Sequence, residues 1–402
     1  LINKHIAATN NNDKETMMLL QVKKEHIIEG LQKAASIIPS RSGAAYLRSL
    51  WLKAEDSTLT IMGTDANLEF TGVYEAKVFD PGMVGVNGRN FVDLVRRLPD
   101  GDLRLRLDER TGTFAVEQGR KNYKLPVSDV TWFQPLAEFP AENSVLWSGD
   151  FFQESIDKTL FCVSDDEAND GLACLYLRAN MEGKDGNIDI CGLNGHQFAL
   201  VRLTHDELAC RLPENGVLLQ KKYVSELRRW LGEGDIELNF TDKRFFVRTA
   251  GGHECLSLPR SGYAYPDYTV FLGRLNSPDA SLLTLNRKDC LDALDRISIF
   301  NTENDRCTSF TLTQNELILS AQGQDTGSAS ESLEAEYNGA IPKIVFPTKN
   351  MMEIFTHYES DKLALTLTGE EGPCGITGES DPGYTVLLMP MKVAQQDYYS
   401  EE

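Results

Sequence analysis

The sequence predicts an α+β protein in which one unit of roughly 125 residues, a usual domain size, is written three times. Three observations predict it. A strand followed by an amphipathic helix opens each unit, a second amphipathic helix recurs later in each, and strand landmarks return at nearly constant spacing.

In the first unit an alternating segment (Leu20, Val22) leads into Ile27, Ile28, Leu31, Ala34, Ala35 and Ile38 at helical spacing. The second opens with VLWSGDFFQESIDKTLFC, where Phe152, Ile156 and Leu160 share a face. The third opens with LLTLNRKDCLDALDRISI, with Leu291, Leu294 and Ile297. Each opening is followed by alternating strand text ending in a turn: TLTIMGTD, NIDICGLN and ELILSAQG. In these, Ile61, Ile190 and Leu319 lie 129 residues apart. The second helices are GRNFVDLVRRL, KKYVSELRRWL and KNMMEIFTHY. Each resumes as a strand, GDLRLRL, GDIELNF or DKLALTL, whose Leu103, Ile236 and Leu363 are separated by 133 and 127 residues.

Clusters of Pro, Asn and Ser at Pro135–Ser144 and Gly273–Ala280 mark the linkers. The reading is a disordered extension over 1–16, repeated domains over 17–138, 145–272 and 281–393, and an acidic tail over 394–402. The apolar runs are short of the roughly 18 residues that a membrane span needs, and 1–16 lacks the pattern of a secretory signal. The eight cysteines are scattered without a C-x-x-C pair, which points to reduced thiols in a cytosolic protein and to no zinc site.

A formal charge of -20 argues at first against a nucleic-acid partner, because Lys and Arg supply non-specific affinity for phosphates. The charge is unevenly placed. Residues 88–98 carry a net +2 and 220–231 a net +3; 150–162 carry a net -2 and the other repeated helices none, so the six helices together are mildly basic while the remainder is acidic. Arg89, Asp93, Arg96 and Arg97 share one polar face, and Lys221, Ser225, Arg228 and Arg229 another.

Motifs for catalysis are missing from the sequence. There is no G-x-x-x-x-G-K-S/T loop to cradle phosphates, no H-E-x-x-H among the six histidines, and no G-x-S-x-G elbow. Asp165 and Asp166 could bind a hard cation or act as acid and base, which keeps a carboxylate-based α+β enzyme as the alternative. A peptide-binding scaffold that never encloses DNA is a second alternative. No cofactor and no metal is expected.

Three stretches resemble the bacterial sliding clamps, the beta-subunit family of DNA polymerase III. LNGHQFALVRL (193–203) is similar to the family's T-D-G-H-R-L-A segment, AYPDYTVFL (264–272) to its F-P-D-Y-x-x-V segment, and YTVLLMPMKV (384–393) to its carboxyl end. The GTD of MGTDANLEF (62–70) also fits. The resemblance implies a non-catalytic processivity factor, a cytoplasmic, nucleoid-associated homodimer closed head-to-tail into a ring around duplex DNA. It also implies an ATP-driven loader to open that ring, and replicative and repair polymerases that dock through short linear motifs.

By the same resemblance, a peptide groove is formed by Leu172, Leu193, Gly195, His196, Phe198, Pro266, Val270, Phe271, Pro373, Leu387, Leu388, Met389, Pro390 and Met391. DNA is met by Arg41, Lys222 and Arg306, to which the helix charge adds Arg89, Arg96, Arg97, Lys221 and Arg228. The subunit interface sets Tyr123 and Leu125 against Ile299 and Phe300. The chain departs from the family where Leu193, Asn194 and Gln197 replace Thr, Asp and Arg, and where Val270 replaces an Arg. These changes imply a more apolar, less cationic groove.

Overall fold

The structure is a computed structural model that describes residues 18–39, 44–108, 111–180, 186–302, 306–323 and 326–392. Its first repeat runs β1 (Leu19–Lys23), α1 (Lys24–Ile37), β2 (Ser49–Glu55), β3 (Thr58–Thr64), β4 (Glu69–Glu75), β5 (Lys77–Asp80), β6 (Gly82–Asn87), α2 (Gly88–Arg97), β7 (Asp102–Asp108), β8 (Thr113–Gln118) and β9 (Lys121–Ser128). The second runs β10 (Val145–Ser148), α3 (Gly149–Leu160), β11 (Cys174–Ala179), β12 (Asn187–Leu193), β13 (Gln197–Thr204), α4 (Asp206–Arg211), β14 (Val217–Gln220), α5 (Lys221–Trp230), β15 (Asp235–Phe240), β16 (Arg244–Thr249), β17 (Glu254–Pro259) and α6 (Thr269–Leu275). The third runs β18 (Ser281–Asn286), α7 (Arg287–Ser298), β19 (Cys307–Thr313), β20 (Glu316–Gly323), β21 (Gly327–Asn338), β22 (Lys343–Pro347), α8 (Thr348–Thr356), β23 (Lys362–Leu367), β24 (Cys374–Gly378) and β25 (Tyr384–Leu388).

The sequence landmarks fall on equivalent ladder positions. Ile61 faces Leu52, Ile190 faces Leu177 and Leu319 faces Phe310, each pair between the second and third strands of its repeat. All six landmarks are buried. Strand alternation explains why: β20 buries Leu317, Leu319 and Ala321 while the residues between them stay half-exposed or exposed. The helices follow their apolar stripes, with α1 burying Ile27, Leu31 and Ala34, and α5 burying Val224, Leu227 and Trp230. Side-chain caps start three of them, Asn87 accepting from the Asn90 amide at 3.1 Å, His205 from the Leu208 amide at 3.2 Å and Asn286 from the Asp289 amide at 3.0 Å.

The compact units differ from the sequence repeats. There are two, residues 1–148 with 233–259 and residues 149–232 with 260–402, so the second repeat contributes to both. The first unit holds a 13-stranded sheet in the order β10-β15-β16-β17-β4-β3-β2-β6-β9-β8-β7-β1-β5. The second holds a 12-stranded sheet in the order β14-β11-β12-β13-β25-β24-β23-β18-β21-β20-β19-β22. Every pairing is antiparallel, and each unit contains one junction where a strand of one repeat pairs with a strand of the next: β4 with β17, and β13 with β25. Two helices were not predicted: α4, and α6, which runs into the expected linker at Gly273.

Candidate functional site

At the β13–β25 junction, Phe198 faces Leu387 and Gln197 faces Leu388 across the ladder. Phe198 and Leu387 join Leu193, Tyr176, Cys174, Cys191, Leu200, Leu218 and Tyr268 in one buried cluster. Leu172, Tyr265, Phe271, Leu272 and Leu275 pack on it, each only partly covered. Beyond them Val270 is 55% exposed and Met391 48%. Pro266, Gly195 and His196 are exposed as well. This graded apolar surface suits apolar side chains of an extended peptide.

A turn forms one rim. The Asn194 carboxamide oxygen accepts from the amides of His196 and Gln197 at 3.0 and 2.8 Å, and Gly195 takes φ +91°, which favours glycine. The His196 carbonyl accepts from the Met389 amide at 2.9 Å, which ties the turn to the end of β25.

The opposite wall is the segment leading into α6, and Tyr268 anchors it. Its hydroxyl donates to Asp189 at 2.7 Å and its ring stacks on Phe198 with centroids 5.2 Å apart. Asp189 is fully buried yet well satisfied, accepting two bonds from Arg202 at 2.7 and 2.8 Å and one from Asn180 at 3.1 Å. Burial and the neighbouring carboxylate push the Tyr268 phenol far above its ordinary value, so it stays a donor. Leu275 lies over Gly375, where a Cβ would come within 2.6 Å of its Cδ1, so a larger residue at 375 would push the Leu275 side chain aside.

The β4–β17 junction has the same plan with different chemistry. Asp65 closes the turn by accepting from the Asn67 and Leu68 amides at 2.8 and 2.7 Å, and Ala66 takes φ +82°. Trp51 meets Phe133 edge-on at 5.4 Å where Tyr176 stacks on Tyr265 at 4.4 Å. Glu69 faces Ser257 where Phe198 faces Leu387. Glu69 is closed off by the Arg244 guanidinium at 3.2 Å, the Ser257 hydroxyl at 3.0 Å and the Ala137 amide at 3.0 Å.

The basic helix faces differ from each other. On α2, Arg89, Arg96 and Arg97 are exposed, Arg96 pairs with Asp93 at 3.2 Å, and Arg89 and Arg97 have no ion-pair partner among the described residues. On α5 every cation is engaged. Lys221 donates to the Val163 carbonyl at 2.7 Å and pairs with Asp165 at 2.8 Å; Lys222 pairs with Glu167 at 3.0 Å; Arg229 pairs with Glu226 at 2.6 Å. Arg228 holds Asp157 of α3 through two bonds, at 2.5 and 2.9 Å. Those bonds raise the Lys222 and Arg228 pKa values above their ordinary positions, the contact with Glu167 and Asp157 being the main cause.

Besides the terminal strands of the two sheets, two interior strands leave part of an edge open among the described residues. Residues 121–126 of β9 pair with β8 alone, since β6 reaches only Val127 and Ser128. Residues 327–334 of β21 pair with β20 alone, since β18 takes only 335–338. Tyr123 and Leu125 lie on the first edge, which carries Lys121 and Lys124; the second carries Glu331 and Glu334. Arg296 pairs with Glu331, bringing the end of α7 beside that second edge, and Ile299 follows at 72% exposed.

The family model described as the N-terminal domain of the DNA polymerase III beta subunit matches residues 18–137, and that of its C-terminal domain matches 277–392. Together they span more than half of the chain. The chain belongs to the beta-subunit family of DNA polymerase III. A beta sliding clamp of Caulobacter vibrioides is 24% identical over 377 residues, covering 94% of this chain and all of the relative. One of Rickettsia felis is 26% identical over 396 residues at the same coverage. Among solved structures, a Caulobacter crescentus beta sliding clamp superposes with a TM-score of 0.86 at 23% identity, and the beta subunit of Pseudomonas aeruginosa with 0.85 at 21%, each over 94% of this chain and all of the other.

The residues named for the groove, the duplex and the interface differ in exposure. Leu388 is fully buried and, one residue from Leu387 in a strand, turns to the other face of β25. Pro373 is buried, Met389 and Pro390 half-buried. Lys221 is tied down by the Val163 carbonyl and Asp165 instead of standing free in solvent. Arg306 is exposed and its amide oxygen accepts from Thr348 at 3.0 Å, while Arg41 lies outside the described residues. Phe300 is half-buried. Asp165 and Asp166, the carboxylates behind the enzyme alternative, have structural work: Asp165 holds Lys221, and Asp166 accepts from the Ala168 amide at 3.0 Å. No group of three potential metal ligands occurs among the described residues, and no described helix is long and apolar enough to cross a membrane. Sequence reasoning missed Tyr265, Leu272 and Leu275 as parts of this apolar surface, and Tyr268 and Asp189 as its support. Spacing gives no sign of the last pair, which are 79 residues apart.

Proposed function

We propose that two copies of this chain close head-to-tail into a ring around duplex DNA. As a member of the beta family the chain is a DNA sliding clamp, a processivity factor with no catalysis of its own. The observation that carries the ring is the pair of open edges. Residues 121–126 of one copy add to residues 327–334 of the other, with Lys121 and Lys124 facing Glu331 and Glu334. Tyr123 and Leu125 then cover Ile299 and Phe300. An edge left open would invite aggregation, whereas pairing both edges of both copies removes it.

The three repeats, 17–138, 145–272 and 281–393, supply the ring's modules, and their second helices turn Arg89, Arg97, Lys222 and Arg228 toward the duplex. The surface around Phe198, Leu387, Phe271 and Val270 receives short linear motifs of the replicative polymerase, repair polymerases and an ATP-driven loader. With Val270 at its exposed lip the groove favours an apolar side chain there over an acidic one. The protein works in the cytoplasm at the nucleoid.

The test is to load the protein onto nicked circular DNA with a loader and then linearise the DNA. A ring stays on the circle and runs off the free ends. Equal retention on both forms would overturn the topological reading.

A further inference from the structure

The α5 cations already have anionic partners, and three of those partners come from outside the helix. Asp157 reaches across from α3, and Asp165 and Glu167 from the segment that follows it. α2 is different, with Arg89 and Arg97 unpaired among the described residues and the one pair, Arg96 with Asp93, made within the helix. Lys222 and Arg228 remain about half exposed despite their pairs, and the side chains of Glu167 and Asp157 are 70% and 38% exposed. Such carboxylates can leave for water at little cost. Beside Lys221 and Lys222 lies a cavity of about 250 Å³, also lined by Asp165, Glu167 and Ser225, with room for an incoming phosphate group.

We propose that Asp157 and Glu167 are built-in stand-ins for DNA phosphate, holding Arg228 and Lys222 so that a duplex phosphate must compete for them. The inference rests on the reading that α5 faces the duplex. Its chemistry is an exchange of one ion pair for another. A bare lysine meeting a phosphate gains a new pair and releases a condensed counterion from the DNA. A lysine already paired gains little, because the carboxylate it gives up returns to solvent. Lys221 takes no part in the exchange, since the Val163 carbonyl fixes it to its own loop. The α5 half of the DNA contact is therefore weak by construction, and α2 supplies the firmer grip.

The experiment measures binding of the dimer to a short linear duplex by fluorescence anisotropy across a series of salt concentrations. Glu167→Gln and Asp157→Asn each uncover one cation, and each should tighten binding and steepen the log–log salt slope by about 0.9. Asp150→Asn makes the same charge change two turns earlier on α3, at an exposed residue, and should leave the slope unchanged. Lys222→Ala and Arg228→Ala, in the backgrounds of Glu167→Gln and Asp157→Asn, should return the slope to that of the wild type. An unchanged slope in Glu167→Gln and Asp157→Asn, alongside weaker binding on removal of Lys222 or Arg228 from the wild type, overturns the stand-in role alone. No effect from any α5 substitution overturns the reading that α5 meets DNA.

Discussion

The junctions β4–β17 and β13–β25 are built alike and filled oppositely. In both, an Asx turn with a left-handed second residue precedes the paired strand, and an aromatic residue from the following connector meets an aromatic of the repeat's second strand. In both, the carbonyl of the turn's third residue is bound by the neighbouring repeat, Asn67 by the Arg244 guanidinium at 2.7 Å and His196 by the Met389 amide at 2.9 Å. The first junction then closes over Glu69, Arg244 and Ser257, whose polar atoms satisfy one another. At the second, Phe198 and Leu387 are buried among apolar neighbours, and Leu172, Phe271 and Val270 leave apolar surface exposed around them. A self-satisfied polar network has no reason to bind a peptide, and a half-covered apolar cluster has every reason. One architecture thus yields a sealed joint and an open groove by exchange of a few side chains.

The sharpest break of this comparison is Arg244→Ala. It leaves Glu69 partly buried without its cation, and the loss in thermal or denaturant unfolding should approach the roughly 3–5 kcal/mol of a broken buried pair. Replacing Glu69, Ser257 and Arg244 together with Phe, Leu and Met should restore most of that stability, as the second junction already shows an apolar filling to be compatible with the fold.

A smaller effect is expected from Tyr268→Phe. Asp189 loses one of its four bonds while Arg202 and Asn180 remain, a cost of about 1–2 kcal/mol. Because Tyr268 positions the α6 wall, affinity for a polymerase-derived peptide, read by calorimetry, should fall with it. The first junction should not respond.

The smallest concerns His357, which stacks on Phe161 with centroids 4.1 Å apart in the second unit. Burial holds its pKa below the ordinary 6.5, so the unfolded chain binds the proton more readily than the folded one. Its contribution is intact above pH 6.5 and is lost as the pH falls below that value. Unfolding curves of His357→Phe between pH 7 and 5 should therefore fall less steeply with acid than those of the parent chain.

Much of this was legible beforehand. Ile61, Ile190 and Leu319 do occupy one ladder position, because a buried strand must alternate whatever its neighbours. The same offset of 129 carries Phe198 onto Glu69 and Asn194 onto Asp65, so the contrast between the junctions was present in the repeat itself. What stayed hidden depends on contacts between distant segments. The basic face of α5 is plain in KKYVSELRRWL, but its neutralisation by Asp157 and Glu167 is a tertiary fact. Leu388 reads like Leu387 in LLMPM until the register with β13 turns it away. The short α6 follows a proline-containing segment and has too few turns to show a period.

The unbroken ladders also set where the molecule can yield. Bending a unit at its inter-repeat junction loads a row of backbone hydrogen bonds in shear, all of which must fail together. The open lengths of β9 and β21 share no such ladder on that side within the chain. If two copies meet there as proposed, opening the ring would part that seam and leave the ladders inside each unit whole.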